Sequence, residues 1–394
     1  MRHLMAALPA VGLLAALLLT PLPASAASPW ECTDRDDGTV EVICTDQSLT
    51  HIEVPEEIDG KAVTALGEEC FYGCTALTEV VLPEGLEKIS SYAFQGCTSL
   101  PEITIPASVG VIEDFSFEGC LSLTAIEVDG DNESYCSEDG VLYTRNKTNL
   151  LRYPAAKADH EFDVPPEVGV IAPWCFTDCR FLRHLTMENV KAMGADVFMG
   201  CTALQTVTLS EKIPVLIGAT FAKCEALRIV EIPDSVTEIG DRCFFGCASL
   251  KDIGTPQKLE KIGEMAFYGC VSLKDISLPG TLKEIGADGI GYTVDTDGST
   301  VKVEGVKLHV PFGSYAYRYA RENGFGYHAV VPQNVVMIVL VSFLLVVLAA
   351  VGIVVELRRR KAARIAEEAR IAEEKKQAML AARREAKKAR KNKT

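Results

Sequence analysis

The chain has 394 residues, fourteen cysteines and a formal net charge of −15. That charge is divided: residues 27–334 hold 23 Lys/Arg against 48 Asp/Glu, whereas residues 357–394 hold 15 against 5. So acidic a main body argues against nucleic acid as a partner, because phosphate binding needs a basic footprint, and the basic tail is too short for a catalytic module.

At the N-terminus, Arg2, a Leu/Ala-rich stretch ending near Leu19, and Ala24-Ser25-Ala26 form the three parts of a secretory signal, residues 1–26, cleaved near Ala26. Residues 27–48 follow as an N-terminal cap, with a hairpin from Cys32 to Cys44 turning at Asp37-Gly38. If it closes over Asp37-Gly38-Thr39, Cys32 and Cys44 face each other and are the candidate disulfide.

Residues 49–290 repeat one phrase ending F-x-x-C, with cysteines at Cys74, Cys97, Cys120, Cys179, Cys201, Cys224, Cys247 and Cys270. Their spacings are 23, 23, 59, 22, 23, 23 and 23. Within a unit, such as LTEVVLPEGLEKISSYAFQGCTS from Leu77, apolar residues fall at the first, fourth, sixth, tenth, thirteenth, eighteenth and twenty-first places. The fourth and sixth alternate as one face of a short strand, which Pro83, Pro106 or Pro233 ends by removing a ladder donor. One unit cannot bury its apolar side alone, but stacked units share a core. The predicted fold is therefore a leucine-rich-repeat-like solenoid, a row of parallel strands with irregular or short helical convex arcs.

The interval of 59 is one unit plus 36 residues, an insert at about 129–158. In it Val141-Leu142-Tyr143 and Leu150-Leu151-Arg152-Tyr153 flank a polar turn and form a hairpin. The unit from Leu273 loses its Phe and Cys, and residues 291–330 read as a C-terminal cap: a strand LHVPF, a helix started by Ser314 and a stop at Gly324. Val335 to Val355 is an uncharged run long enough for one transmembrane helix. Arg358, Arg359, Arg360 and Lys361 follow it, which sets the basic tail, 356–394, on the cytoplasmic side and the N-terminus outside. That tail favours helix and either contacts anionic lipid headgroups or is simply solvated.

The cysteines of the repeat read as small buried hydrophobes. At the seventeenth place Cys70, Cys175 and Cys243 alternate with Ala93, Ser116, Val197 and Thr220, and those at the twenty-first place point the same way, which opposes bridging. His51, His160, His184, His309 and His328 are scattered, and no nucleophile, phosphate-loop or zinc motif is present, so binding rather than catalysis is expected, with no cofactor and no metal. Asp129, Asp131 and Glu133, like Asp295 and Asp297, read as acidic turns rather than calcium loops. Asn132 and Asn146 head two sequons. In the strand row the third and fifth places point outward: Glu79 and Val81, Glu102 and Thr104, His184 and Thr186, Thr206 and Thr208, Ile229 and Glu231, then Asp252 and Asp275. This acidic, hydroxyl-rich surface is either the ligand face or a solvated one. Exposed aromatics are few, which argues against a sugar-stacking platform.

The phrase L-x-x-I-x-[IL]-P-x-x-[LV]-x-x-I-G-x-x-A-F-x-G-C resembles the BspA-type leucine-rich repeat of bacterial surface proteins, over about residues 45 to 330. Asp139 to Pro154 and Gly313 to Phe325 are similar to inserts and caps of that family. The resemblance implies adhesion by a cell-surface protein that binds protein or cell-surface ligands, and Val335 to Val355 would make it membrane-anchored. The alternative is a structural envelope protein whose cytoplasmic tail recruits a partner. The chain departs from the family in its anchor: it has a membrane helix and no LPxTG-type sorting signal.

Overall fold

A computed structural model describes residues 28–254, 256–331 and 333–391. The secretory signal at 1–26 lies outside them. The chain forms two compact units: one runs to Ile276 and takes in Lys283–Val306, and the other holds Ser277–Leu282 and everything from Lys307 onward.

The first unit is a solenoid. Its long row of strands comprises His51–Glu53, Glu79–Val81, Glu102–Ile105 and Ala125–Val128, then Glu161–Asp163, His184–Thr186, Thr206–Thr208 and Ile229–Glu231. Apart from two breaks, between Glu79–Val81 and Glu102–Ile105 and between Ala125–Val128 and Glu161–Asp163, neighbours pair in parallel and in register, as in His184↔Thr206↔Ile229 and Thr186↔Thr208↔Glu231. Each coil then turns and lays down a second strand of two residues, such as Lys88–Ile89, Val215–Leu216 or Lys261–Ile262, giving a second parallel row that the sequence pattern does not announce. The arc that closes the coil is a run of turns, with no helix among its described residues.

The arcs are ordered by backbone bonds between coils. The N–H of the repeated Phe donates to the next coil, from Phe71 to Ala93 O at 2.7 Å and from Phe94 to Ser116 O at 2.8 Å, and Gly96 does the same to Glu118 O at 2.8 Å. These bonds require a left-handed residue two places before the Phe, and that residue is never glycine: Tyr92, Phe115, Trp174, Ala219, Arg242 and Met265 all have φ between 52° and 62°. Each costs roughly 1–2 kcal/mol of backbone strain, offset by the ladder bonds that the conformation permits.

The phenylalanines stack face to face along the core, Phe71–Phe94–Phe117 at centroid separations of 5.1 and 5.6 Å and Phe198–Phe221–Phe244–Phe267 at 5.2, 5.2 and 5.0 Å. Six of the cysteines beside them donate the thiol to the Phe carbonyl one coil back, among them Cys97 to Phe71 O at 3.2 Å, Cys201 to Phe176 O at 2.9 Å and Cys247 to Phe221 O at 3.0 Å. All eight are free and buried. Burial pushes the thiols up, Cys74 to about 11 and Cys120 to about 12.

The insert is a three-stranded meander, Tyr135–Glu138, Val141–Thr144 and Asn149–Arg152, antiparallel within itself. Its last strand pairs in parallel with Val170–Ile171, and Tyr153 stacks on Phe176 at 5.1 Å, so Tyr153 stands in the phenylalanine column. The insert thus rebuilds part of a coil. Both strand rows are interrupted there: Ala125–Val128 and Glu161–Asp163 belong to different sheets, as do Val111–Ile112 and Asn149–Arg152. Asn132 lies under this seam, fully buried. Its amide donates to Pro106 O and Val109 O at 2.8 and 2.9 Å and accepts from Ser134 N and Tyr135 N at 2.9 and 2.8 Å. That sequon asparagine is a core polar residue, not a glycan acceptor.

The front hairpin corrects one expectation. Trp30–Asp34 pairs with Val40–Cys44 around a loop of residues 35–39, which sets Cys32 opposite Val42 and Cys44 opposite Trp30. The two cysteines are therefore diagonal neighbours, about 7–8 Å apart in such a ladder and beyond a disulfide's ordinary reach. Both are free, Cys32 exposed and Cys44 buried.

In the second unit, strands Lys307–Pro311 and Gly326–Val330 pair in parallel, and helix Tyr315–Glu322 connects them. Ser314 caps that helix by accepting from Tyr317 N at 3.1 Å, and Ala316 and Ala320 are its buried face. The unit also contains the helix Gln333–Lys391, 59 residues and about 88 Å long. It begins with an apolar run long enough to cross a membrane and continues unbroken through the basic tail.

Candidate functional site

The outward strand residues are distributed over two stretches of the long row. In the second stretch His184, Thr186, Thr206, Thr208, Ile229 and Glu231 form one ladder, and Asp252 extends it by a single bridge to Ile229. His184 Nδ1 and Thr206 Oγ1 are hydrogen-bonded at 2.8 Å. Ile229 is 49% exposed, an apolar side chain among hydroxyls and acids. Asp275 begins the separate strand Asp275–Ser277.

The first stretch is shaped differently, for a reason visible in the sequence. At the head of each strand a backbone N–H reaches back one coil, as in Thr78 to Thr50 O at 2.8 Å, Arg183 to His160 O at 2.8 Å and Arg228 to Gln205 O at 3.0 Å. Pro101 occupies that place ahead of Glu102 and has no N–H to give. Glu79–Val81 and Glu102–Ile105 accordingly sit in separate ladders. A groove of about 600 Å³ lies across them, lined by Glu79, Val81, Glu102, Thr104, Glu84 and Asp129 among others, with no Lys or Arg in its lining. His51 Nδ1 lies 3.0 Å from Glu79 at one margin.

Four of the outward residues named from the sequence therefore meet in one groove, six in one ladder, and the two groups are separated by the insert. Glu84 was not foreseen, and Asp129 was read only as part of an acidic turn, not as groove lining. They lie in turns after their strands, where no period marks them. Asp129 instead bonds its own turn, Oδ1 accepting from Asp131 N at 2.8 Å, and among the described residues no cluster of three His, Cys, Asp or Glu could hold a metal ion. The scarcity of exposed aromatics is not uniform: half-buried at the left-handed arc place, Tyr92 stacks on Phe115 at 4.8 Å, and Trp174 lies tilted against Phe115 at 3.8 Å.

Repeating coils, parallel strand rows and an apolar column of Phe with Leu and Ile define a leucine-rich-repeat solenoid, with its strand faces open. The chain belongs to the family described as BspA type leucine rich repeat region, matched in six copies over residues 43–139 and 169–293. The unmatched stretch between those ranges is occupied mainly by the insert. Among solved structures it is similar to the pneumococcal vaccine antigen PcpA, at 22% identity over 72% of this chain and 68% of that one, with a TM-score of 0.54. A leucine-rich repeat protein from Eubacterium ventriosum matches at 23% identity, 67% and 92% coverage and a TM-score of 0.49. A leucine rich cell surface protein from Faecalibacterium prausnitzii matches at 23%, 67% and 94%, with 0.42. These identities speak to fold alone. No curated protein matches the chain.

Proposed function

We propose that the protein is a membrane-anchored cell-surface binding module, and that the groove over Glu79 and Glu102 takes a cationic segment of a protein partner. The observation that carries this reading is the groove itself, an acidic depression opened by Pro101 and without a basic side chain in its lining. Carboxylates at a partly shielded site attract Lys or Arg more strongly than isolated surface charges do, and the interaction weakens with salt. Val335 to Val355 supplies the anchor. The apolar N-terminal signal pattern and the Arg358–Lys361 cluster support a solenoid outside and a tail in the cytoplasm. Membership of a family of surface repeats fits a binding role.

The test uses the full chain displayed on cells. A fluorescent Lys/Arg-rich peptide should bind, a Glu-rich one should not, and the double charge reversal Glu79→Lys/Glu102→Lys should lower affinity at least about tenfold with a flatter salt dependence. Equal binding by the variant would sink the groove assignment. Protease added to intact cells should remove the solenoid and spare residues beyond about Arg358. Protection of both parts would overturn the topology. Removing the tail beyond Lys361 should leave peptide binding intact, whereas its loss would favour a recruiting envelope protein.

A further inference from the structure

We infer that the seam at the insert holds a second, separate site: an acidic cavity at the edge of strand Glu161–Asp163 that takes a short aliphatic diamine or polyamine. The cavity measures about 310 Å³ and is lined by Glu138, Asp139, Asp159, Glu161 and Asp163, with Lys157 as its one basic residue. Two of the five acids are neutralised locally, Glu138 by Lys147 and Asp159 by Lys157, each at 2.8 Å. Asp139, Glu161 and Asp163 form no ion pair among the described residues. An acidic cluster by itself is only a solvated surface, but two independent features mark this one as a site.

The first is Tyr143. Its side chain is 1% exposed and lines the cavity, yet its hydroxyl has no hydrogen-bond partner among the described residues. Nor is that hydroxyl sealed in the core: the side-chain atoms that are both sealed and unpartnered are Ser90 Oγ and Arg152 Nε and Nη2. It therefore opens on the cavity, and a buried hydroxyl is costly unless something bonds it there. Tyr153, by contrast, gives its hydroxyl to Asp159 Oδ2 at 3.3 Å. The second feature is the strand edge. Backbone bonds alternate along a parallel ladder, and here His160 O accepts from His184 N at 3.0 Å while Val164 N donates to Thr186 O at 2.9 Å. The carbonyls of Glu161 and Asp163 therefore face the other way, toward the seam, where their strand is the last of its sheet.

These groups define the ligand. Carboxylates and carbonyls only accept hydrogen bonds, which calls for a ligand that donates, as an ammonium does. Phe162, half-buried on the same wall, offers an aromatic face to a cation. The acids are dispersed, since among the described residues no three His, Cys, Asp or Glu come together as a metal site. Dispersed negative charge fits positive charges separated along a chain better than one divalent ion. The site is also preformed: Ile126 N donates to Gly140 O at 2.8 Å, and a Cβ on Gly140 would lie 2.7 Å from that of Ala125, so the turn bearing Asp139 is pressed onto the preceding coil.

The experiment uses the full chain in nanodiscs of zwitterionic lipid, with putrescine and spermidine titrated calorimetrically at constant ionic strength. Butylamine, butanediol, calcium chloride and a dilysine amide are the comparisons. Putrescine should bind saturably and at least about tenfold tighter than butylamine, and butanediol should not bind. Glu161→Gln/Asp163→Asn keeps the shapes and removes two charges, and should raise the putrescine Kd at least about tenfold. Tyr143→Phe removes only the unpartnered hydroxyl, so it should weaken putrescine about threefold or more without lowering the melting temperature of the free protein, which a packing role would lower. The Glu79→Lys/Glu102→Lys chain is titrated in parallel. Putrescine binding that vanishes in it belongs to the other groove and overturns this site while leaving the groove reading intact. Equal affinity for putrescine and butylamine on the unsubstituted chain, or an unchanged Kd in Glu161→Gln/Asp163→Asn, would overturn the proposal. Displacement of putrescine by calcium at equal concentration, or tighter binding of the dilysine amide, would overturn the choice of ligand class.

Discussion

The thiol column makes the solenoid sensitive to alkali, and the effect can be worked out from burial. Cys120 and its counterparts are held protonated by the core, Cys120 up to about 12, while an unfolded cysteine ionises near 8.5. A folded pKa above the unfolded one contributes stability that is complete below about 8.5 and declines as pH rises toward the folded value, because only the open state gains the thiolate. At pH 9.5 the open state of a one-thiol segment is favoured about tenfold over its value at pH 7.5, or about 1.4 kcal/mol, and that of a two-thiol segment about a hundredfold. The assay is alkylation of each cysteine followed by mass spectrometry, with rates divided by those of an unfolded peptide thiol at the same pH. The slope of log opening against pH counts the thiols exposed together, and so measures how many coils open as a unit. Cys243→Ala, at a place where other coils carry Ala93 and Ala266, should reduce the slope at Cys247 by one. Opening that does not change between pH 7.5 and 9.5 would refute the shielded-thiol account.

Two further substitutions probe the stacking. Phe244 is fully buried between Phe221 and Phe267, so Phe244→Ala should cost about 3–5 kcal/mol, seen by hydrogen exchange first in the adjacent coils, whereas the exposed Lys251→Ala should change stability by about 0.5 kcal/mol or less. A uniform loss of protection across all coils would count against nearest-neighbour coupling. Gly240 is packed so tightly that a Cβ there would lie 2.6 Å from Gly218 N. Gly240→Ala should therefore destabilise its coil by about 1–3 kcal/mol, and an unchanged melting temperature would show that the coils can move apart freely.

What could be read in advance follows from how each feature is encoded. The long strand row was legible because alternation at the fourth and sixth places survives three residues of strand. The second row was not, since two residues such as Lys88–Ile89 leave no alternation to detect. Tyr153 was hidden because the insert lacks the F-x-x-C phrase by which the column was found. Arg152 was placed in a hairpin, but its burial depends on Trp174 and Thr177 more than twenty residues away, and a charged residue read alone is taken as exposed. The hairpin register slipped by two because the turn dipeptide was recognised but the loop proved to be five residues, 35–39. The groove needed one more inference, that Pro101 interrupts a chain of bonds between coils as well as its own strand.

The seam also bears on how the molecule is made. A chain leaving the ribosome N-terminus first completes the stack Phe71–Phe94–Phe117 well before Phe176 exists. At about 5–20 residues per second, the stretch from Cys120 to Phe176 takes roughly 3–11 seconds to synthesise. During that interval the first stack ends at Phe117 with no coil above it, and the insert residues are the next to arrive. By placing Tyr153 in the column ahead of Phe176, the insert provides a surface on which the second stack begins. Shortening the insert is therefore expected to show first as misassembly during synthesis rather than as a lower stability of the folded protein.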